Sequence, residues 1–405
     1  MVEARTFVRA RGSTRIKDSY DNRYFMKQVI PVRKIGLGLL QEWPLLVNLA
    51  TTLVFLAVGQ SLLADLSHPA RFTFMLTWLL AIILFSVFAV VRHAESLAEK
   101  LGEPLGTLVL TLAVTGIEVM IIVATMSTQH GGPTLARDAM FAVIMIVLNG
   151  MVGLTLLIGG LKYKEQDYNL QGANSFLAVI LPLAVIGLVL PNYTSSSPDQ
   201  TFSPIQAAFL IIVSVVLYGI FLTIQNGRHR AYFRTSRPTA EAKDAKRKWR
   251  IVHEVYSVPY HVLLLLAYMG PLVILTQQLA VPIDFTVRVL GAPVALAGFL
   301  IAVLVLTPES LGAVHAALAN DLQRSVNILL GSVLATTGLT IPAVLMFGLL
   351  TGKPIILGLE PVDITLLSLT LVLSTMTFSS SRTNVLLGAV HLLLFFAYLL
   401  LIFQR

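Results

Sequence analysis

The sequence predicts an all-α polytopic membrane protein of about eleven transmembrane helices, arranged as two inverted five-helix repeats behind an extra N-terminal helix. Three observations point there. Of 405 residues, 56% are hydrophobic and only 12% charged, a balance too apolar for a soluble domain. The apolar stretches are long and do not alternate with period two, which argues for helices and against an outer-membrane barrel. The basic residues are rich and poor in successive connections, as the positive-inside rule requires of helices that cross in turn.

Residues 1–35 read as a cytoplasmic basic N-terminal arm with nine Lys/Arg. They contain no short apolar core ending in a small-residue cleavage site, so no cleaved signal peptide is expected. Residues 36–70 are the first transmembrane helix and its loop. Since about 20 residues cross a ~30 Å hydrocarbon core, spans are expected near 40–64, 71–91, 105–128, 138–161, 173–193, 203–226, 255–279, 289–317, 325–350, 361–380 and 384–403. Spans 2–6 form a first repeat (71–226) and spans 7–11 a second (251–405). Between them lies a basic cytoplasmic linker, 227–250, with nine further Lys/Arg.

Arg92, Lys100, Lys162, Lys164, Arg324 and Arg382 join these, giving 24 basic residues inside against five outside, Arg71, Arg137, Arg288, Lys353 and Arg405. The expected topology is N-terminus in, C-terminus out. The same distribution accounts for the net charge of +8 without a nucleic-acid partner. The absence of cysteine excludes a disulfide framework and a thiolate metal site.

Two residues break the pattern of acids in loops and at span ends. Glu118 and Glu309 lie within apolar stretches, where a carboxylate costs roughly 2.5–3.5 kcal/mol on insertion scales and marks an ion site or a pathway. Their surroundings look duplicated. Leu101-Gly102-Glu103-Pro104 precedes Glu118, and Leu290-Gly291-Ala292-Pro293 precedes Glu309. Thr134-Leu135-Ala136-Arg137 and Asp321-Leu322-Gln323-Arg324 each lead into the next span. The two acids fall in spans 3 and 8, an odd number apart, so their helices run in opposite directions and can meet near the midplane.

Helix breakers, Thr115-Gly116 and Thr307-Pro308, flank both acids and are expected to free carbonyl oxygens beside them. Carboxylates, carbonyls and Ser/Thr/Asn side chains together make an oxygen set suited to a hard cation. Thr115, Asn149, Thr307, His315, Asn327 and Ser332 are candidate supporting ligands, with Thr336 a further one. Small polar residues are equally ordinary glue between membrane helices. His261 and His391, also within spans, are expected only to pack or to join helices.

Several motifs resemble the Ca2+/H+ antiporter (CAX) family, and within it the bacterial ChaA-type branch of calcium or sodium-potassium/proton antiporters. They are Arg92-His93-Ala94-Glu95 with Leu101 to Pro104, then Leu110-Thr111 through Thr115-Gly116-Ile117-Glu118. Gly160 to Gln166 with Tyr168-Asn169 follows. The second half supplies Thr307-Pro308-Glu309, His315, Asn320, Gln323, Arg324, Asn327 and Gly331 to Ala335, and Ser381 to Leu386 completes the set. Where family members carry Gly-Asn before each glutamate, this chain has Val114-Thr115 and Val305-Leu306, and its linker is basic where theirs is often acidic.

The resemblance implies eleven spans, two inverted halves and one glutamate from each repeat at a shared metal and proton site. The function expected is secondary active export of Ca2+, Na+ or K+ from the cytoplasm in exchange for H+, by alternating access, in a bacterial inner membrane. A cation channel or another cation-coupled secondary transporter is the alternative. An enzyme is not expected, because no hydrolase motif is found in the spans. No cofactor is expected beyond the transported ions; the partners are those ions, protons and the lipid bilayer.

Overall fold

The computed structural model describes residues 42–102, 105–128, 132–197, 199–234 and 256–404. The expected N-terminal arm, most of the basic linker and the Glu103-Pro104 pair lie outside the described residues. Within them the chain forms eleven long helices: α1 (Trp43–Leu63), α2 (Pro69–Leu101), α3 (Leu105–Ser127), α4 (Leu135–Tyr163), α5 (Leu170–Leu188), α6 (Pro204–Arg228), α7 (Val258–Arg288), α8 (Ala295–Leu318), α9 (Leu322–Thr351), α10 (Pro361–Thr377) and α11 (Val385–Phe403). Ten are long and apolar enough to cross a membrane, and α10 is a shorter apolar helix. It is a multi-pass membrane protein.

The helix starts are written locally. Proline stands in the first turn of α1, α2, α6, α7 and α10, where its missing N–H has no partner to lose. Ser203 and Gln206 close a capping box on α6, Asn169 accepts from the Gln171 and Gly172 amides at the start of α5, and Asn384 caps α11.

Several spans depart from their expected bounds. Helix α2 runs to 33 residues because the polar turns beyond its apolar stretch contain no breaker, and α7 runs to 31 straight through Pro271 and Pro282. Helix α2 ends only at Gly102, whose positive φ of 65° suits glycine and whose amide closes on the Ala98 carbonyl. Helix α8 begins at Ala295, not near 289, since Gly291 at φ 73° and Pro293 interrupt the chain. Helix α10 stops at Thr377, where a run of serines turns its hydroxyls onto the backbone, as Ser379 does to the Met376 carbonyl at 2.6 Å.

Features recur at a spacing of five helices. The two longest, α2 and α7, pack along each other. Each is followed by a glycine at positive φ. Helices α4 and α9 are both interrupted by a π-helical stretch, Met145–Met151 in one and Thr336–Thr340 in the other. Such bulges shift the facing of side chains and concentrate at functional sites.

Helix α4 is the centre of the bundle, with every residue from Leu135 to Gly150 buried. Its neighbours come close through glycine. A Cβ on Gly388 of α11 would lie 2.7 Å from the Leu157 amide of α4, and one on Gly298 of α8 would lie 2.5 Å from the Ala139 amide. Small residues of this kind let membrane helices pack backbone to backbone. Large apolar side chains such as Leu46, Ile205, Ile212, Leu263 and Phe396 are exposed around the outside, as lipid contact requires. Gly388→Ile is expected to cost about 1–3 kcal/mol through overpacking, read as a lower melting temperature of the detergent-purified protein, with Ile402→Leu on the same helix as the tolerated control.

The extra helix α1 is tied down by a buried polar cluster. Glu42, just before it, accepts from Arg92 at 2.6 Å and from Tyr268 at 3.0 Å, and His93 lies 3.5 Å away. His93 in turn faces His261, ring nitrogen to ring nitrogen, at 3.1 Å. His261 thus serves as the expected glue, joining α7 to α2.

Candidate functional site

Glu118 sits in the second half of α3, buried to 5% exposure. Its carboxylate is held by the Thr336 hydroxyl, which lies 3.0 and 3.1 Å from its two oxygens. Thr336 opens the π segment of α9, and Thr340 at the end of that segment lies beside the same carboxylate. Glu309 sits mid-way along α8, with Ser332 of α9 beside its carboxylate. Its Oε2 is buried and has no hydrogen-bond partner among the described residues. The carboxylates lie within electrostatic reach of each other, and their helices are in contact.

Two intramembrane acids separated by 191 positions in the chain are therefore brought into one buried neighbourhood rich in hydroxyls. A lone buried oxygen such as Glu309 Oε2 is costly unless a proton or a cation shares it. Thr115, one turn before Glu118, adds a second buried oxygen without a partner among the described residues.

The expected local opening of α3 and α8 beside the acids does not occur. Both helices run through, since one internal glycine costs only about 1 kcal/mol in a helix and a proline is tolerated where neighbours pack around it. Pro308 still leaves the Leu304 carbonyl without its helical donor, and Thr307 turns its hydroxyl to the Val303 carbonyl at 2.6 Å. The irregular backbone is instead in the helices facing the acids, α4 and α9.

The other candidates divide. Ser332 and Thr336 are at the carboxylates. Asn149 is fully buried in the π segment of α4, with its amide nitrogen 2.7 Å from Thr370 and its oxygen 3.3 Å from His391. His315 is exposed near the end of α8 and is not brought to the acids. Asn327 donates to the Phe233 carbonyl at 2.6 Å and accepts from Gln323, pinning the segment after α6 onto α9.

Motifs at and beyond the span ends have a structural task. Lys162 and Tyr163 both donate to the Leu318 carbonyl, at 2.8 and 2.7 Å, and Gln166 donates to the Ala317 carbonyl and to Asn320. The end of α4 and the stretch after it thereby bond carbonyls at the end of α8. Gln323 accepts from the Asn169 amide and fixes the start of α5. On the opposite repeat, Arg137 is buried at the start of α4, bonded to Asp138 at 2.8 Å and to the Gly358 carbonyl at 3.2 Å. Its sequence counterpart Arg324 is exposed.

A family model described as "Sodium/calcium exchanger protein" matches residues 71–227 and 260–404, one block over each set of five helices. The chain belongs to this exchanger family. It is a family of transporters, not of enzymes. The exchanger is 42% identical to "Putative ionic transporter y4hA" of Sinorhizobium fredii over 82% of this chain and 89% of the relative. It is 41% identical to "Sodium-potassium/proton antiporter ChaA" of Escherichia coli over 79% of this chain and 86% of that one. Among solved structures its fold is similar to native YfkE, with a TM-score of 0.65 at 17% identity, covering 89% of the exchanger and all of YfkE. The blocks matched by the model leave α1 outside them, as expected for a helix added to a duplicated core.

Proposed function

We propose that this exchanger is a secondary active antiporter, moving Na+, K+ or Ca2+ out of the cytoplasm in exchange for protons. The observation that carries the reading is the meeting of Glu118 and Glu309, from helices five apart, against the hydroxyls of α9. The 41% identity to a sodium-potassium/proton antiporter supports the ion class.

Two carboxylates in one buried neighbourhood either bind protons or together bind a cation, so each species displaces the other. With both acids ionised and no counter-ion, the site would carry two charges in a low-dielectric core and resist occlusion. Only the filled site, protonated or cation-loaded, then passes between inward-open and outward-open states, and this obligatory filling couples the two fluxes. Glu118 and Glu309 are the ligands in this reading, Ser332, Thr336 and Thr340 supply hydroxyls, and Glu309 Oε2 and Thr115 Oγ1 are free to engage the incoming ion. The two sets α2–α6 and α7–α11 act as inverted repeats whose relative movement exposes the site to each side in turn. The N-terminus and basic linker lie in the cytoplasm of a bacterial inner membrane.

The test uses inverted vesicles holding a respiration-driven acid interior, reported by a quenched fluorescent amine. Na+, K+ and Ca2+ are added one at a time across a range of pH. Recovery of fluorescence that depends on the exchanger and persists when the membrane potential is clamped supports antiport. Loss of the response under the clamp would instead identify a channel.

A further inference from the structure

We propose that His391 is a specificity-determining positioning residue, which with Thr370 holds the Asn149 amide so that its oxygen is withheld from the transported cation. The inference rests on the antiporter reading for the identity of the site. It starts from hydrogen-bond directions that can be fixed one after another. Thr370 spends its only proton on the Leu366 carbonyl at 2.7 Å, so toward Asn149 it must accept. The end of the Asn149 amide at 2.7 Å from Thr370 is therefore its NH2 group, and its oxygen faces His391 Nδ1 at 3.3 Å. An amide oxygen only accepts, so Nδ1 carries the ring proton, and the Leu148 carbonyl beside the ring is a second acceptor for His391. Nε2 is then the acceptor, and it takes the proton of the Thr377 hydroxyl at 2.9 Å. Asn149, Thr370, Thr377 and His391 are all 0% exposed, so none of these groups has water as a substitute.

Both ends of the amide are thus taken by α10 and α11, which carry neither glutamate. The corresponding bulge in α9 does the opposite, turning Thr336 to Glu118. The π segment of α4 packs against α8 and α9, the helices of Glu309 and of those hydroxyls, so a released Asn149 is carried by a segment that borders the helices of the site. The lock keeps the site to carboxylates and hydroxyls. One more neutral oxygen would favour Ca2+, which takes six to eight oxygen ligands, over a monovalent ion.

In inverted vesicles, His391→Leu removes the donor to the Asn149 oxygen and is expected to shift the ratio of apparent KM for Na+ to that for Ca2+ toward Ca2+ by about tenfold, or roughly 1.4 kcal/mol. His391→Gln, which can still donate to that oxygen, keeps the parental ratio. Thr370→Val, which frees the other end of the amide, shifts the ratio in the same direction and serves if the leucine variant does not accumulate. Adding Asn149→Leu to His391→Leu cancels the shift. An unchanged ratio in folded His391→Leu and Thr370→Val, an equal shift in His391→Gln, or a shift that survives loss of Asn149 overturns the proposal. Parental vesicles that respond to no cation would instead overturn the antiporter reading.

Discussion

Glu118→Gln and Glu309→Gln are each expected to abolish cation-dependent proton movement in inverted vesicles, with rates at least ~100-fold below the parent, equivalent to about 2.7 kcal/mol of lost barrier reduction. Glutamine matches glutamate in shape but cannot ionise, so it neither takes up the exchanged proton nor neutralises a bound cation. The fold is expected to be retained, because an amide oxygen still accepts from Thr336 at position 118 and from Ser332 at position 309. Membrane yield and melting temperature of both variants therefore stay near the parent while transport is lost. Either variant exchanging at the parental rate removes that glutamate from the mechanism.

Arg137→Ala has the largest expected effect on stability. The guanidinium is buried between Asp138 and the Gly358 carbonyl, with Glu360 at 3.8 Å, and so joins the start of α4 to the segment before α10. Removing one partner of a buried ion pair typically costs about 3–5 kcal/mol, a large fraction of the 5–15 kcal/mol that holds a typical domain together. The variant is expected to lose most of its membrane yield and to melt well below the parent. Arg137→Lys keeps the charge but not the two-sided reach, and falls between them. A melting temperature unchanged in Arg137→Ala would show that this cluster does not hold α4.

Much of the fold is legible because a bilayer makes strict demands: length and apolarity alone mark out the eleven helices, ten long enough to cross a membrane and one shorter. The duplication was legible too, in Leu-Gly before each acid-bearing helix, and the structure gives both glycines a positive φ. Glu118 and Glu309 stood out because nothing cheap explains an acid inside an apolar stretch.

What the sequence hid were effects of helix facing. The π segment at Met145–Met151 has no proline to announce it, and the one at Thr336–Thr340 has only Pro342 just beyond it, which removes the donor to the Gly338 carbonyl. Thr340 and the role of Thr336 follow from the register these segments set. Asn149 and Asn327 looked alike as polar residues in apolar surroundings, yet one joins three helices in the core and the other pins a segment near the surface. His315 was misleading because six positions along α8 is more than one and a half turns, which carries it away from Glu309. His391 reads from sequence as glue, and the direction of its hydrogen bonds to Asn149 and Thr377 is something composition cannot encode.

The most direct test of the shared site is proton release on cation binding by purified protein. In weakly buffered detergent solution near neutral pH, saturating Ca2+ or Na+ should acidify the medium for the parent, less for Glu118→Gln or Glu309→Gln, and not at all when both are glutamine. Cation binding by the parent with no proton released, or release that persists in the double variant, would contradict competition between metal ions and protons for this pair of carboxylates.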